Sequence, residues 1–236
     1  MLANEYRQLL AEGAVLTFDK PLGWTSFDVV NKFRLLVRHI LGLKKLKAGH
    51  AGTLDPLATG LLIICTGKQT KSIESIQEME KEYTGTFELG QTTPSFDLET
   101  SPDATFPTQH ITGQMISAAL EKLSGIQKQI PPMFSAKKID GQRAYEMARR
   151  GESAELKARE VLISAFEITR FELPEADFRV VCSKGTYIRS LARDFGQELG
   201  SGAYLKNLRR VRTGSFQVEK AWTIDGFQDH LRSLIL

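Results

Sequence analysis

The chain has 236 residues, 42% of them hydrophobic and 25% charged, the composition of an ordinary soluble globular protein with one substantial core and at most a small appended lobe. It opens MLANEYRQLLAEG, without the basic start and unbroken apolar run of a secretory signal, and its longest apolar run, Leu61 to Cys65, is far too short for a membrane span. The formal net charge of +3 identifies no partner by itself.

A helix is expected from Ser26, whose hydroxyl can cap it, with Asp28 in the first turn and Val29, Phe33, Val37 and Ile40 as its apolar stripe. A glycine-rich loop, Gly49 to Gly60, follows, then a buried strand, Leu61 to Thr66, and a short helix around Ile73 and Ile76. Next comes an alternating strand. Tyr83, Gly85, Phe87 and Leu89 share one face of it, and Glu82, Thr84, Thr86 and Glu88 the other. Residues Gln91 to His110, broken by Pro94, Pro102 and Pro107, read as a long loop. Thr112 to Leu123 reads as a helix stopped by Gly125, and Ile130 to Gly141 as a strand ending in a tight Asp140-Gly141 turn. A short helix at Tyr145 to Arg150 and strands at Val161 to Phe171 and Asp177 to Ser183 come next. A helix capped by Thr186 then carries the stripe Ile188, Leu191, Phe195 and Leu199. Near the end are a helix start at Ala203, a strand from Val211 to Val218, and a helix carrying Ile224, Phe227, Leu231 and Leu234. Helices and strands mix without regular βαβ alternation, which predicts an α+β fold with a mostly antiparallel sheet. Cys65 and Cys182 lie in strand-like apolar runs and read as buried thiols of a cytoplasmic protein.

Charge is unevenly distributed. No acid occurs from Val29 to Leu54, while Lys32, Arg34, Arg38, Lys44, Lys45 and Lys47 accumulate there. A second basic cluster comprises Lys206, Arg209, Arg210 and Arg212. Either suits a polyanion, and either alone equally suits a solvated face. With them, Lys137, Lys138 and Arg143 of the Met133 to Arg150 segment are candidates to grip a polyanion from the other side.

The segment richest in chemistry is Gly49-His-Ala-Gly-Thr-Leu-Asp-Pro-Leu-Ala-Thr-Gly60. Its glycines allow tight turns and close approach, and Pro56 biases Asp55 toward an extended backbone. An aspartate before proline is, on its own, more often an Asx turn. The whole string, however, closely resembles the catalytic loop of the TruB family of tRNA pseudouridine synthases. Lys20-Pro-Leu-Gly-Trp-Thr-Ser26, Lys81-Glu-Tyr-Thr-Gly85, Ser183-Lys-Gly-Thr-Tyr-Ile-Arg-Ser190 and Leu208-Arg-Arg-Val-Arg-Thr-Gly-Ser-Phe216 resemble its other motifs, in order along most of the chain.

The resemblance implies that Asp55 is the nucleophile, Tyr83 the active-site tyrosine and Arg189 the active-site arginine that keeps Asp55 ionised and oriented. It places His50 at an RNA-binding rim and Lys20, Tyr187 and Leu208 among substrate-side positions, with loop stabilisation as the other reading of Lys20 and plain packing as that of Tyr187 and Leu208. It implies isomerisation of uridine 55 in the T-arm of tRNA after the base is flipped into a pocket. The carboxylate can attack C1′ or uracil C6, and Tyr83 or Asp55 can remove the C5 proton. Since nothing is oxidised and no group leaves, neither cofactor nor metal is expected. One catalytic domain over 1–236 is expected, with an RNA-gripping insertion at roughly 91–152. Too few residues follow Phe216 for the RNA-binding PUA domain of longer relatives. A monomer without a protein or membrane partner is the remaining expectation. The acidic segment after the second motif departs from the family, since Gly90-Gln-Thr-Thr-Pro-Ser-Phe-Asp97 retains only Asp97.

Overall fold

The computed structural model describes residues 3–134, 138–139, 142–143, 146–147, 150, 152 and 156–235. Along the chain run α1 (Ala3–Glu12), β1 (Val15–Lys20), α2 (Ser26–Leu41), β2 (Ala48–His50), β3 (Ala58–Thr66), α3 (Ile73–Glu78) and β4 (Lys81–Leu89). Then come β5 (Gln91–Thr92), β6 (Ala104–Thr105), α4 (Gly113–Leu123), β7 (Gly125–Gln129), β8 (Lys138–Ile139) and β9 (Gln142–Arg143). The remainder is β10 (Arg159–Glu172), β11 (Glu175–Cys182), α5 (Ile188–Glu198), β12 (Ala203–Thr213), β13 (Phe216–Gln217) and α6 (Ile224–Ser233). The pairs β1/β3, β2/β3, β7/β10, β10/β11 and β12/β13 are antiparallel, and the fold is α+β as the mixed patterning implied. Among the described residues no helix is long and apolar enough to cross a membrane.

The chain forms two compact units, residues 1–82 with 209–236, and residues 83–208. In the first unit β3 runs between β1 and β12. The β1/β3 register, Val15↔Cys65 to Lys20↔Gly60, delivers Lys20 beside the end of the glycine-rich loop. Phe18, Phe33 and Phe227 meet at ring-centroid distances of 5.1–5.8 Å and anchor a core that takes in Val29, Val30, Leu36, Val37 and Leu41 of α2. The helix therefore buries a wider stripe than Val29, Phe33, Val37 and Ile40, with Leu41 buried and Ile40 only partly so. In the second unit the strand order is β12-β4-β11-β10-β7. Phe87, Phe166, Phe178 and Phe195 pack together there, Phe87 stacking on Phe178 at 4.1 Å. Gly85 interrupts the buried face of β4 because a Cβ would strike the Asn207 carbonyl and lie 2.8 Å from the Phe178 ring.

Several sequence expectations are corrected. Thr25, not Ser26, caps α2: its hydroxyl accepts from the Asp28 amide, and the Asp28 carboxylate accepts from the Thr25 amide, a capping box. Tyr187 rather than Thr186 precedes α5, and the Thr186 hydroxyl donates to the Ser183 carbonyl. Ala203 begins a strand, not a helix: it is the first residue of β12, which runs on through Val211 to Thr213. The polar 91–110 stretch contains β5 paired with β6, and α1 and β1 were not anticipated. Residues 130–134, expected to begin a strand, are in none; β7 ends just before them, and β8 paired with β9 lies further on. Asp140, Gly141, Lys137 and half of the helix expected at Tyr145 to Arg150 lie outside the described residues.

At Gly60 (φ +100°) an added Cβ would collide with the Arg210 carbonyl and lie 2.8 Å from its amide nitrogen, whereas at Gly23 (φ +80°) it would meet nothing within 4 Å. Gly60→Ala is expected to destabilise the protein by about 3 kcal/mol or more and Gly23→Ala by about 1 kcal/mol, since only the first adds a backbone clash to the φ penalty. Equal losses in urea unfolding would show that close approach of β3 to Arg210 is not the constraint.

Candidate active site

Asp55 sits in the loop between β2 and β3, half-buried, in a backbone held on both sides. Its carbonyl accepts from the Ala58 amide (3.0 Å), closing a turn. The Leu54 amide donates to Ser26 Oγ (2.9 Å), and that hydroxyl donates back to the Leu54 carbonyl (3.3 Å). The Pro56 carbonyl accepts from the Gly23 amide (2.9 Å) and from Lys20 Nζ (3.4 Å). Each neighbour of Asp55 is thereby tied to the segment between β1 and α2, so the carboxylate projects from a fixed backbone. The Ser26 hydroxyl serves the loop rather than its own helix because Thr25 already caps it.

Lys20 is fully buried, and its ammonium donates to the carbonyls of Trp24 (2.6 Å), Pro21 (3.0 Å) and Pro56. Of the two roles read for it, this arrangement matches loop stabilisation. Burial pushes the Lys20 pKa down to about 8, against the pull of Asp55 and with the help of the like charge on Arg210. Arg210 is buried as well; its Nε donates to the Leu61 carbonyl (2.8 Å) and its Nη2 to the Gly52 carbonyl (3.1 Å). His50, half-buried at the end of β2, is held below the usual imidazole range by burial and then by Arg210. Its Nδ1 is buried with no hydrogen-bond partner among the described residues. Such an imidazole is neutral at physiological pH.

In the second unit, Arg189 lies in the first turn of α5, 4% exposed. Its Nη2 donates to the Phe134 carbonyl (2.7 Å), its Nη1 to the Ser95 carbonyl (3.4 Å), and Nη1 lies 3.5 Å from the buried Asp97 carboxylate. Asp97 is the acid retained after the second motif. Tyr83 is 9% exposed on β4. Tyr187 is half-buried beneath the Arg159 guanidinium, 4.5 Å from its ring centroid, and Leu208 is half-buried on β12. Gln129, which sequence reasoning missed, grips the Tyr187 backbone in both directions: the Tyr187 amide donates to Oε1 (2.8 Å), and Nε2 donates to the Tyr187 carbonyl (3.1 Å). Ser190 Oγ adds a bond to the Ile130 carbonyl (2.8 Å). No local signal marks Gln129, because its partner lies 58 residues away.

The TruB family pseudouridylate synthase N-terminal domain matches residues 38–188, and the tRNA pseudouridylate synthase B C-terminal domain matches residues 189–234. The chain belongs to the TruB family. Pseudouridine synthases are isomerases, and this family acts on tRNA. The boundary between the two matches falls inside α5, so it does not coincide with a break in the fold. Tyr187 and Arg189 stand on either side of it. Relatives named tRNA pseudouridine synthase B include one from Phocaeicola vulgatus, 57% identical over 93% of this chain and 94% of its own. Another, from Flavobacterium johnsoniae, is 57% identical over 94% of this chain and 97% of its own. Among solved structures, a chain of a Cbf5-Nop10-Gar1 complex superposes with a TM-score of 0.71 at 27% identity over 97% of this chain. A chain of an H/ACA RNP bound to a substrate RNA gives 0.67 at 27% identity over 96%. This chain spans 56% and 55% of those two solved chains.

The Lys20 shift makes a pH prediction. Below about pH 8 the ammonium is charged in both states; between 8 and the unfolded value of 10.5 only the unfolded chain keeps the proton. Stability therefore rises with pH across that window. The unfolding free energy of wild type relative to Lys20→Met is expected to increase from pH 7.5 to 10.5 in urea titrations. Parallel curves for the two proteins would contradict a depressed Lys20.

Proposed function

We propose that this protein converts uridine 55 in the T-arm of tRNA to pseudouridine, with Asp55 as nucleophile. The observation that carries this reading is the immobilised backbone on both sides of Asp55, with a buried lysine ammonium close behind. A carboxylate so placed needs no reorganisation as it attacks. The reaction breaks the N1–C1′ bond, turns the uracil, joins C5 to C1′, and moves a proton from C5 while N1 gains one. The target uridine leaves its stack to reach the carboxylate, the unstacking being offset by contacts to the surrounding RNA. By the family motifs, Arg189 and Tyr83 work with Asp55. The pairing of Arg189 with a second carboxylate, Asp97, fits a guanidinium oriented before substrate arrives. A neutral His50 at the loop entrance can lie against a base without carrying extra charge into the pocket.

Purified protein incubated with unmodified tRNA is expected to produce pseudouridine at position 55, read by carbodiimide modification and primer extension. Modification elsewhere only, or none, would reject the assignment. Asp55→Asn is expected to lower the single-turnover rate by about 10⁴-fold while tRNA still binds, because phosphate contacts supply most of the affinity. Activity within tenfold of wild type would remove the nucleophile role.

Tyr83 separates two contributions. If its hydroxyl carries the C5 proton, Tyr83→Phe stalls loss of that proton from the rearranged base and hence product formation; if its ring alone holds the uracil, Tyr83→Phe keeps most activity and Tyr83→Ala loses it. Full activity in Tyr83→Ala, measured by single turnover, would eliminate both.

A further inference from the structure

The cations of this protein fall into two groups that the sequence does not distinguish. Near the C-terminus, Arg209 pairs with Asp19, Arg212 with Glu80 and Glu82, and Lys206 with Glu88 and Glu175; Arg210 is buried against carbonyls. Three of these four cations are paired with carboxylates and the fourth is buried, so of the two readings of that cluster the arrangement favours a face without a ligand over a polyanion surface. On α2 the situation is reversed. Arg34, Arg38 and Lys44 form no ion pair with any described residue, and no acid occurs between Val29 and Leu54 to supply one.

These three cations line one cavity of about 410 Å³ together with Asn31, Leu35, Leu43 and Leu46. Its origin is local. Asn31, Arg34, Leu35 and Arg38 recur at helical spacing on the face of α2 that leaves Phe33 and Val37 free to face the core. Gly42, at φ +67°, ends the helix in the left-handed conformation, and the chain returns to bring Leu43, Lys44 and Leu46 to the same hollow. Arg34 is anchored by donating from Nη2 to the Ala48 carbonyl, and its Nε is buried without a hydrogen-bond partner among the described residues. Leu35 is 43% exposed. The hollow therefore combines uncompensated guanidinium and ammonium donors with an apolar wall, and its volume lies within the range of small-ligand sites.

We propose that this cavity holds one nucleotide of the bound RNA outside the catalytic centre, its phosphate on Arg34, Arg38 and Lys44 and its sugar or base against Leu35, Leu43 and Leu46. The proposal rests on the tRNA reading above. Forked guanidinium donors match phosphate oxygens, and a ribonucleotide brings the apolar surface that a bare anion lacks. Because β2 follows directly and ends at His50, a strand held here is tethered a few residues from the loop that carries Asp55.

The test uses the full chain. Arg38→Gln/Lys44→Gln leaves Arg34 and its Ala48 anchor intact, and Lys68→Gln/Lys71→Gln removes equal charge from exposed positions outside the cavity. In tRNA filter binding the cavity variant is expected to lose about tenfold in affinity, and its slope of log affinity against log salt to shrink by about 0.7–0.9, one phosphate contact. Leu35→Ser is expected to weaken binding with an unchanged slope, since it removes apolar contact and no charge. Wild-type affinity and slope in the cavity variant, or an equal loss in the Lys68/Lys71 control, would overturn the site. Unchanged affinity in Leu35→Ser would overturn the nucleotide assignment. Uridine 5′-monophosphate provides the last arm: if the cavity variant loses this free nucleotide yet keeps tRNA affinity, the ligand is not an RNA strand. Failure of the tRNA reading itself is distinguishable, because it appears as absent pseudouridine in the wild type regardless of the variants.

Discussion

The carbonyl oxygens of the loop around Asp55 must find donors, and the first unit supplies them from buried side chains. Ser26 serves Leu54, Lys20 serves Pro56, and Arg210 serves Gly52 and Leu61. A loop with its backbone exposed to water would leave the carboxylate mobile; one buried without donors would carry unsatisfied polar groups at a cost of about 1–3 kcal/mol each. Buried donors resolve both problems. Two of them are cations, and burying a cation is itself unfavourable, as the depressed Lys20 pKa records. Multiple carbonyl acceptors around each cation offset that cost, and the negative charge of Asp55 favours the charged lysine. The loop and its supports are thus mutually dependent.

The second unit uses the same device at a different place. Gln129 reproduces for Tyr187 the two hydrogen bonds that a neighbouring strand would make, fixing the residue that leads into α5. Ser190 ties the same helix to Ile130, and Arg189, between them, reaches the Ser95 and Phe134 carbonyls and Asp97. Two separate stretches of sequence, residues 95–97 and 129–134, therefore converge on one helix turn. Side-chain amides, hydroxyls and guanidinium groups substitute for sheet hydrogen bonds where the chain is irregular, which lets a loop-built site be rigid without being part of the sheet.

Charge accounting separates structural from binding cations. The ion pairs of Arg209 and Arg212 join β12 to β1 and to the β4 entrance, and partly exposed pairs of this kind contribute little individually. Their consequence is mainly negative: with the pairs of Lys206 and the burial of Arg210, they take the second basic cluster out of the surface field. The basic residues of α2 and the turn after it have no such compensation among the described residues. Their field remains available to a phosphate backbone, and its strength falls with salt.

The sequence by itself determined the family and the order of its motifs, the α+β class, the core stripe of α2, the buried position of Tyr83 on an alternating strand, and the glycine-rich loop with Asp55. Those signals are local: periodicity, a proline after the aspartate, and contiguous motif strings. Only the tertiary structure decided that Ser26 holds the loop rather than its helix, that Lys20 and Arg210 are buried donors, that Asp97 faces Arg189, and which basic cluster is internally paired. Ser26 and Leu54 are 28 residues apart, Arg210 and Leu61 are 149, and Arg209 and Asp19 are 190. A hydroxyl or a guanidinium carries the same letter in the sequence whether it meets water, a carbonyl or a carboxylate. The choice among them is made by strand register and packing, which bring distant partners within 3 Å only after the chain has folded.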